Sequence, residues 1–430
     1  MLSNLGVPLR AIRFNSRMPL AIGISVAGVA ALGAAGYAAQ QQSPPIARYT
    51  MDAGTTSGLG AMGGGMQGAM AMLTGRGNGA AHELILRLGS SQSASGGPKA
   101  DHFMPPGAAL GNSVPLVTPI AGKSGPPDGA GKMGELPKAR LYIFWGCGEH
   151  APKNQPLVID FTKLAKGQIP SGLYAQPLNL PDDWKVLASD SKTYGDWPNG
   201  KDAKVVPGNA SLRGAHRIES TYAPKINFML DRDFMPALQT QSQSLPSGAY
   251  SLSWKPVADA TGYYAWGMSA KLGAQSGRGG DVQEMVWWSS SATQQFGGAM
   301  WDWLSPAAVA ELVAAKTVMP PSQTNCTVPA EVKQMGGEMT MANLSAYGPQ
   351  SDFAYPPRPT DAKIAWKPEW IARVRFRSTT MLALGMPNMG DMRAGENDGR
   401  SDNPSTPPQS VKPKCKGLAG IAKRAAGLCE

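Results

Sequence analysis

Apolar and small polar residues alternate at Tyr250, Leu252 and Trp254, the period-two pattern of a strand with one buried face. The turn-forming run PVADATG follows, and Tyr263, Tyr264, Ala265 and Trp266 resume as a second aromatic strand. The two read as antiparallel partners in a sandwich. Upstream, HELILRLGSS sets Leu84, Leu86 and Leu88 against Ile85 and Arg87 and predicts the first ordered strand close to His82. Further strands are predicted at ARLYIFWGCG, PLVIDF, INFMLDRDF, EMTMANLSAY and IARVRFRSTTML; the last sets Val374, Phe376 and Ser378 against Arg373, Arg375 and Arg377. The best helix is predicted over 306–316: Ser305 caps the first N–H groups, Pro306 suits the first helical position, and Val309, Leu312 and Val313 form a stripe.

From Ala249 to Met268 the residues resemble fibronectin type III and related immunoglobulin-like modules, in which a strand ending in tryptophan leads through a Pro-x-x-x-Ala-x-Gly-Tyr turn into the next strand. That resemblance implies a sandwich and implies no activity, because such modules carry many functions. Tyr142-Ile143-Phe144-Trp145-Gly146 matches Tyr263-Tyr264-Ala265-Trp266-Gly267 in type and spacing, which predicts the same strand in two sandwiches. The expected fold is mainly β, with one or two immunoglobulin-like/fibronectin-III-like sandwiches, one short helix and long disordered segments.

Composition divides the chain. Its 430 residues include 52 glycines and 37 prolines, and only 16% are charged, so part of that length cannot join a core. Arg10, Arg13 and Arg17 precede an uncharged run from Met18 to Ala39, and Gly36-Tyr37-Ala38 offers small residues for cleavage. Residues 1–38 therefore read as a signal peptide cleaved after Ala38; the run is also long enough to span a bilayer, at about 20 residues, and an uncleaved anchor is the alternative. Residues 39–79 read as a disordered Gly/Met-rich linker, 80–165 as a first β domain with a Gly/Pro-rich insertion, and 166–224 as an irregular connection around Trp184 and Trp197. A second β-sandwich domain is expected over 225–392, and a disordered Pro-rich tail with a basic amphipathic C-terminus over 393–430.

The net charge of +10 is scattered rather than clustered with aromatics, which points to an anionic envelope surface and away from nucleic acid. Four cysteines in an exported chain allow three pairings. A helix from Cys415 to Cys429 would hold them about 21 Å apart, far beyond disulfide reach of about 7 Å. A bridge there would gain about 3 kcal/mol by closing the loop, so Cys415 is expected to pair with Cys429, and Cys147 with Cys326.

Candidate chemistry is sparse. Cys147, with Glu149 and His150 beside it, is a conceivable nucleophile, but the exported context favours a half-cystine. Met62, Met66, Met70 and Met72, and again Met381, Met386, Met389 and Met392, have spacings seen in thioether sites for Cu(I), yet no histidine lies near either group. Asp231 with Asp233, or Asp302 between two tryptophans, could be imagined as hydrolytic carboxylates, though a solvated turn explains the first pair equally well. GKS at Gly122–Ser124 lacks the earlier glycine of a phosphate loop, Val117 holding that place. Catalytic residues, metal ligands and cofactors are accordingly not assigned.

The tryptophans remain. Trp287, Trp288, Trp301 and Trp303 are the candidate ligand platform, because exposed aromatic faces on a sandwich stack sugar rings or peptide side chains. Adjacent Trp287 and Trp288 must point to opposite faces, so one of them is core. The expected function is non-enzymatic binding or scaffolding at the cell envelope, in the periplasm or at the cell surface, with a glycan or protein partner. The membrane is expected to be touched only through the signal segment, if it stays uncleaved. The alternatives are an envelope carbohydrate hydrolase and a periplasmic copper-handling protein.

Overall fold

In a computed structural model, residues 43–62, 80–119, 139–170, 172, 184–272, 282–337, 339–361 and 363–385 are described. The predicted signal segment, most of the Gly/Met-rich run, the Pro-rich tail with Cys415 and Cys429, and Met66, Met70, Met72, Met386, Met389 and Met392 lie outside them. The described part is mainly β, and no helix in it is long and apolar enough to cross a membrane.

Among the described residues sixteen strands form three sheets. The largest draws on β1 (Ala47–Gly58), β2 (Ala80–Ser90), β5 (Arg140–Trp145), β6 (Leu157–Asp160), β7 (Thr193–Trp197), β12 (Gly262–Leu272), β13 (Val282–Ser289), β15 (Met341–Tyr355) and β16 (Trp370–Ala383). Their order is β6-β5-β13-β12-β15-β16-β1-β2-β7. The β1–β16 and β13–β5 pairs are parallel and the other neighbours antiparallel. A four-stranded sheet, in the order β4-β3-β8-β9, uses β3 (Ala100–Phe103), β4 (Val114–Pro115), β8 (Gly214–Ser220) and β9 (Ile226–Leu230). A three-stranded sheet, in the order β10-β11-β14, uses β10 (Thr240–Ser244), β11 (Tyr250–Trp254) and β14 (Asn325–Val328).

Alternation along each strand builds the layers. Tyr49, Met51 and Ala53 of β1, Leu84, Leu86 and Leu88 of β2, Val286 and Trp288 of β13, and Val374 and Phe376 of β16 enter one buried cluster. Ile218 and Phe228 of the four-stranded sheet and Leu252, Trp254 and Val328 of the three-stranded sheet complete it. Both small sheets therefore share this core with the nine-stranded one. The strands predicted to belong to two separate sandwiches run in one sheet: β5 lies beside β13, and β2 joins β16 through β1.

Several expectations are corrected. The first strand is β1, inside the predicted linker: its Thr, Gly and Ser residues look like loop, but a strand buried on both faces between β16 and β2 has room for little else. The connection 166–224 contains β7 and β8. Trp254 and Tyr263 are both buried, but β11 and β12 are not paired; they lie in different sheets, and the two rings meet across the core at 5.3 Å. The PVADATG run carries the chain between layers, with Val257 N–H donating to Tyr263 Oη at 2.9 Å.

The short helix α1 (Phe161–Leu164) follows β6, and the predicted helix appears as α2 (Pro306–Ala314), with Ser305 Oγ accepting from Ala308 N–H. Val309 and Leu312 of α2 pack with Tyr264 and Tyr347 on the outer face of the nine-stranded sheet. A third helix, α3 (Ala330–Gly336), follows β14. Cys147 and Cys326 are joined by a disulfide. It ties the turn after β5 to β14, beside the Gly148 N–H to Thr327 O bond.

Candidate binding site: an aromatic ledge on the outer face

The repeated Tyr-x-x-Trp-Gly pattern supplies two corners of the site. Trp266 on β12 and Trp145 on β5 are both register partners of Ser289, the residue between them on β13. Two strand spacings put their backbones roughly 10 Å apart. The two copies of the pattern are thus strands of a single sheet. Trp287, two residues before Ser289, shares the outer face. Trp287 forms a buried cluster with Leu141, Ile143 and Ile159, against which Trp145 and Trp266 pack.

The connection from β13 to α2 adds two more rings. Trp287 stacks on Trp266 at 5.0 Å with 12° between planes, and Trp301 lies tilted over Trp266 at 4.7 Å. Phe296 meets Trp287 edge-on at 5.3 Å. Trp287 is 3% exposed, whereas Trp301 is 45% and Phe296 51% exposed. The arrangement is a stack of buried Trp287 and partly buried Trp266 carrying two half-exposed rings. Large apolar faces left in water on a firm base are what a docking ligand removes from solvent.

Beside the stack runs a groove of about 430 Å³ lined by Trp145, Asn154, Pro156, Leu157, Val158 and Gln294, with Pro170 and Gly172 at its end. Its polar side chains are uncharged amides. Gln155 fixes one wall: its Oε1 accepts from Trp145 N–H at 2.9 Å, and its Nε2 donates to Trp145 O at 2.9 Å.

Trp301 is held from below by the basic face of β16. Arg377 Nη1 donates to Trp301 O at 2.7 Å, and Arg375 Nη1 donates to Trp303 O at 2.6 Å. Arg375 is in turn bonded to buried Asp52, 2.8 Å away, which also binds Arg87 at 2.9 Å. Burial lifts the Asp52 carboxyl above its ordinary value, and the two guanidiniums pull it back down. On the other side Asp302 pairs with Lys185 at 2.6 Å. The ledge therefore rests on a fixed ionic frame rather than on a free loop.

Of the four tryptophans singled out by sequence, the structure brings Trp287 and Trp301 together and sends two elsewhere. Trp288 is fully enclosed in the core and its Nε1–H donates to Gly146 O at 2.9 Å. Trp303 is 7% exposed, its ring beneath the Arg377 guanidinium at 3.9 Å. Neither offers a face to a ligand: strand alternation turns Trp288 inward, and Gly54, lacking a side chain, lets Trp303 sink onto β1. Trp145, Trp266 and Phe296 were missed as site residues. The repeated pentapeptide was the available signal for the first two; nothing in the local pattern marked Phe296.

The catalytic alternatives find little geometry. Cys147 is in the disulfide and His150 faces Glu331. Asp233 accepts from Ser211 Oγ, Leu212 N–H and Phe234 N–H, which makes it a turn-stabilising carboxylate rather than half of a pair with Asp231. Among the described residues no group of three His, Cys, Asp or Glu side chains converges as metal ligands. No family model, no curated protein and no solved structure matches the chain.

Proposed function

We propose that the protein is a non-enzymatic binding or scaffolding component of the cell envelope, and that the ledge of Trp145, Trp266, Trp287, Trp301 and Phe296 is where a glycan docks. The observation that carries this reading is the half-exposed pair Trp301 and Phe296 standing on a stack of partly buried Trp266 and buried Trp287. A sugar ring has a C–H face that lies on an aromatic plane and hydroxyls that seek amides, and Asn154 and Gln294 line the adjoining groove. Among the described residues none of those lining the groove is charged, which favours a neutral saccharide over an anionic one.

Export rests on the basic, apolar, small-residue order of residues 10–39. An intact mass beginning at Ala39 in protein recovered from the envelope supports cleavage; an uncleaved N-terminus would replace it with an anchor. The binding reading is tested with a printed array of neutral and acidic oligosaccharides, together with sedimentation with purified peptidoglycan. Retention of the native protein and loss of retention by Trp301→Ala support it. Equal retention of both would move the site elsewhere, and no retention by the native protein would favour a protein partner.

A further inference from the structure

Three of the four histidines are enclosed or half-enclosed, and two of them form one chain of hydrogen bonds across the layers. His216 on β8 sets its Nε2 2.7 Å from Leu212 O. A carbonyl only accepts, so that nitrogen carries the hydrogen. In the neutral ring Nδ1 is then an acceptor, and it lies 3.0 Å from His102 Nε2 on β3, which must donate. His102 Nδ1 is left to accept, and Tyr49 Oη on β1 stands 2.7 Å away to donate. One backbone carbonyl thus fixes both tautomers and the direction of three bonds. All three side chains are buried.

The chain of bonds joins two sheets, since Tyr49 belongs to the nine-stranded sheet and both histidines to the four-stranded one. Its surroundings are built for neutral rings. From β9, Phe228 stacks on His216 at 5.0 Å and 5°, and Phe353 of β15 stacks behind Phe228 at 4.7 Å. From β1 the facing group is Tyr49 itself, whose hydroxyl burial holds well above its ordinary range, helped by Asp52. The carboxylates on the same strands, Asp52, Asp101 and Glu219, alternate onto the opposite faces, as does Arg217 on β8; Asp52 is already bound by Arg375 and Arg87, and Glu219 by Arg217 and Lys225. Among the described residues no carboxylate meets either imidazole.

We infer that Tyr49, His102 and His216 form an acid-sensitive latch, which ties the four-stranded sheet to the nine-stranded one at neutral pH and releases it on acidification. An added proton has one of two places to go. On His216 Nδ1 it opposes the His102 Nε2–H, and on His102 Nδ1 it opposes the Tyr49 hydroxyl hydrogen; either way a donor meets a donor until the chain reverses or opens.

The sign follows from burial, which lowers the affinity of both rings for protons, that of His102 furthest, below the ordinary value of 6.5. The unfolded chain then binds protons that the folded chain refuses. Stability is complete above about pH 6.5 and falls below it, by up to tenfold in the folding equilibrium per pH unit for each histidine.

Two measurements on the full chain test the latch. Long-range proton–nitrogen spectra of the imidazoles are expected to show His102 and His216 as neutral Nε2–H tautomers that do not titrate near pH 6.5. Amide exchange between pH 7.5 and 5, corrected for the intrinsic chemical rate at each pH, is expected to rise first in β3, β8 and β9, tenfold or more ahead of β12 and β13. His82, stacked on Phe234 and also lowered by burial, titrates in the same window, so His82→Gln serves as the control and should keep the localised response. Ordinary titration of His102 and His216, exchange that rises evenly over all strands, or loss of the response in His82→Gln would each overturn the proposal.

Discussion

Nearly half of the Trp301 side chain is in water, whereas Trp254 is enclosed against Tyr263, so alanine at the two positions separates binding from stability. Trp254→Ala leaves a large cavity in the shared core and is expected to cost about 3–5 kcal/mol, read as a shifted urea midpoint. Trp301→Ala removes a ring whose backbone is held by Arg377, so its urea midpoint should stay within about 0.5 kcal/mol of the parent. Gly54 is a third test. A Cβ there would come within 3.1 Å of both Trp303 Cη2 and Glu83 Oε2, and Gly54→Ala should cost about 1–3 kcal/mol by overpacking. An unchanged melting curve for Gly54→Ala would show that Trp303 does not rest on β1. At this scale the sequence was legible where adjacent residues forced a choice: one of Trp287 and Trp288 had to be core, although both proved buried. It was silent on Trp303, whose place depends on a glycine 249 positions earlier in the chain.

Among the elements, strands with apolar–polar alternation were legible and β1 was not. HELILRLGSS and YSLSW declare their faces because one side is Leu, Tyr or Trp. In β1 both sides are covered, and Thr50, Asp52, Gly54 and Thr56 on the outer face carry no hydrophobic signal. Local pattern also missed that β11 and β12, adjacent in sequence, lie in different sheets, because a short turn run serves a hairpin and a layer crossing alike. The Cys147–Cys326 disulfide joins elements 179 residues apart. Closing so long a loop restricts the unfolded chain strongly, and Cys147→Ser with Cys326→Ala should lower stability by about 2–5 kcal/mol in denaturant titrations. A double variant as stable as the parent under oxidising conditions would mean that the bridge adds nothing to the fold.

For the whole molecule, the expectation of a mainly β protein agrees with the structure, while its sheets run through both predicted domains. The reason is long-range pairing. β1 and β16 are parallel neighbours in the middle of the large sheet, and no property of either segment alone announces a partner some 320 residues away. The ionic frame shows the same thing: the pattern sets Arg373, Arg375 and Arg377 on one face of a strand and says nothing of their partners. In the fold Arg375 reaches buried Asp52, and Arg377 clips the Trp301 carbonyl. Whole-molecule placement therefore turns a charge stripe into the support of an aromatic surface.

The measurement closest to the central claim is a titration of tryptophan emission with the oligosaccharide best retained on the array, made on the native protein and on Trp301→Ala with Phe296→Ala. Removing two stacking rings should weaken binding by about 2 kcal/mol or more, roughly thirtyfold in Kd, with the thermal midpoint unchanged. Equal affinity in the two proteins, or a native protein whose emission no oligosaccharide perturbs, would contradict the account.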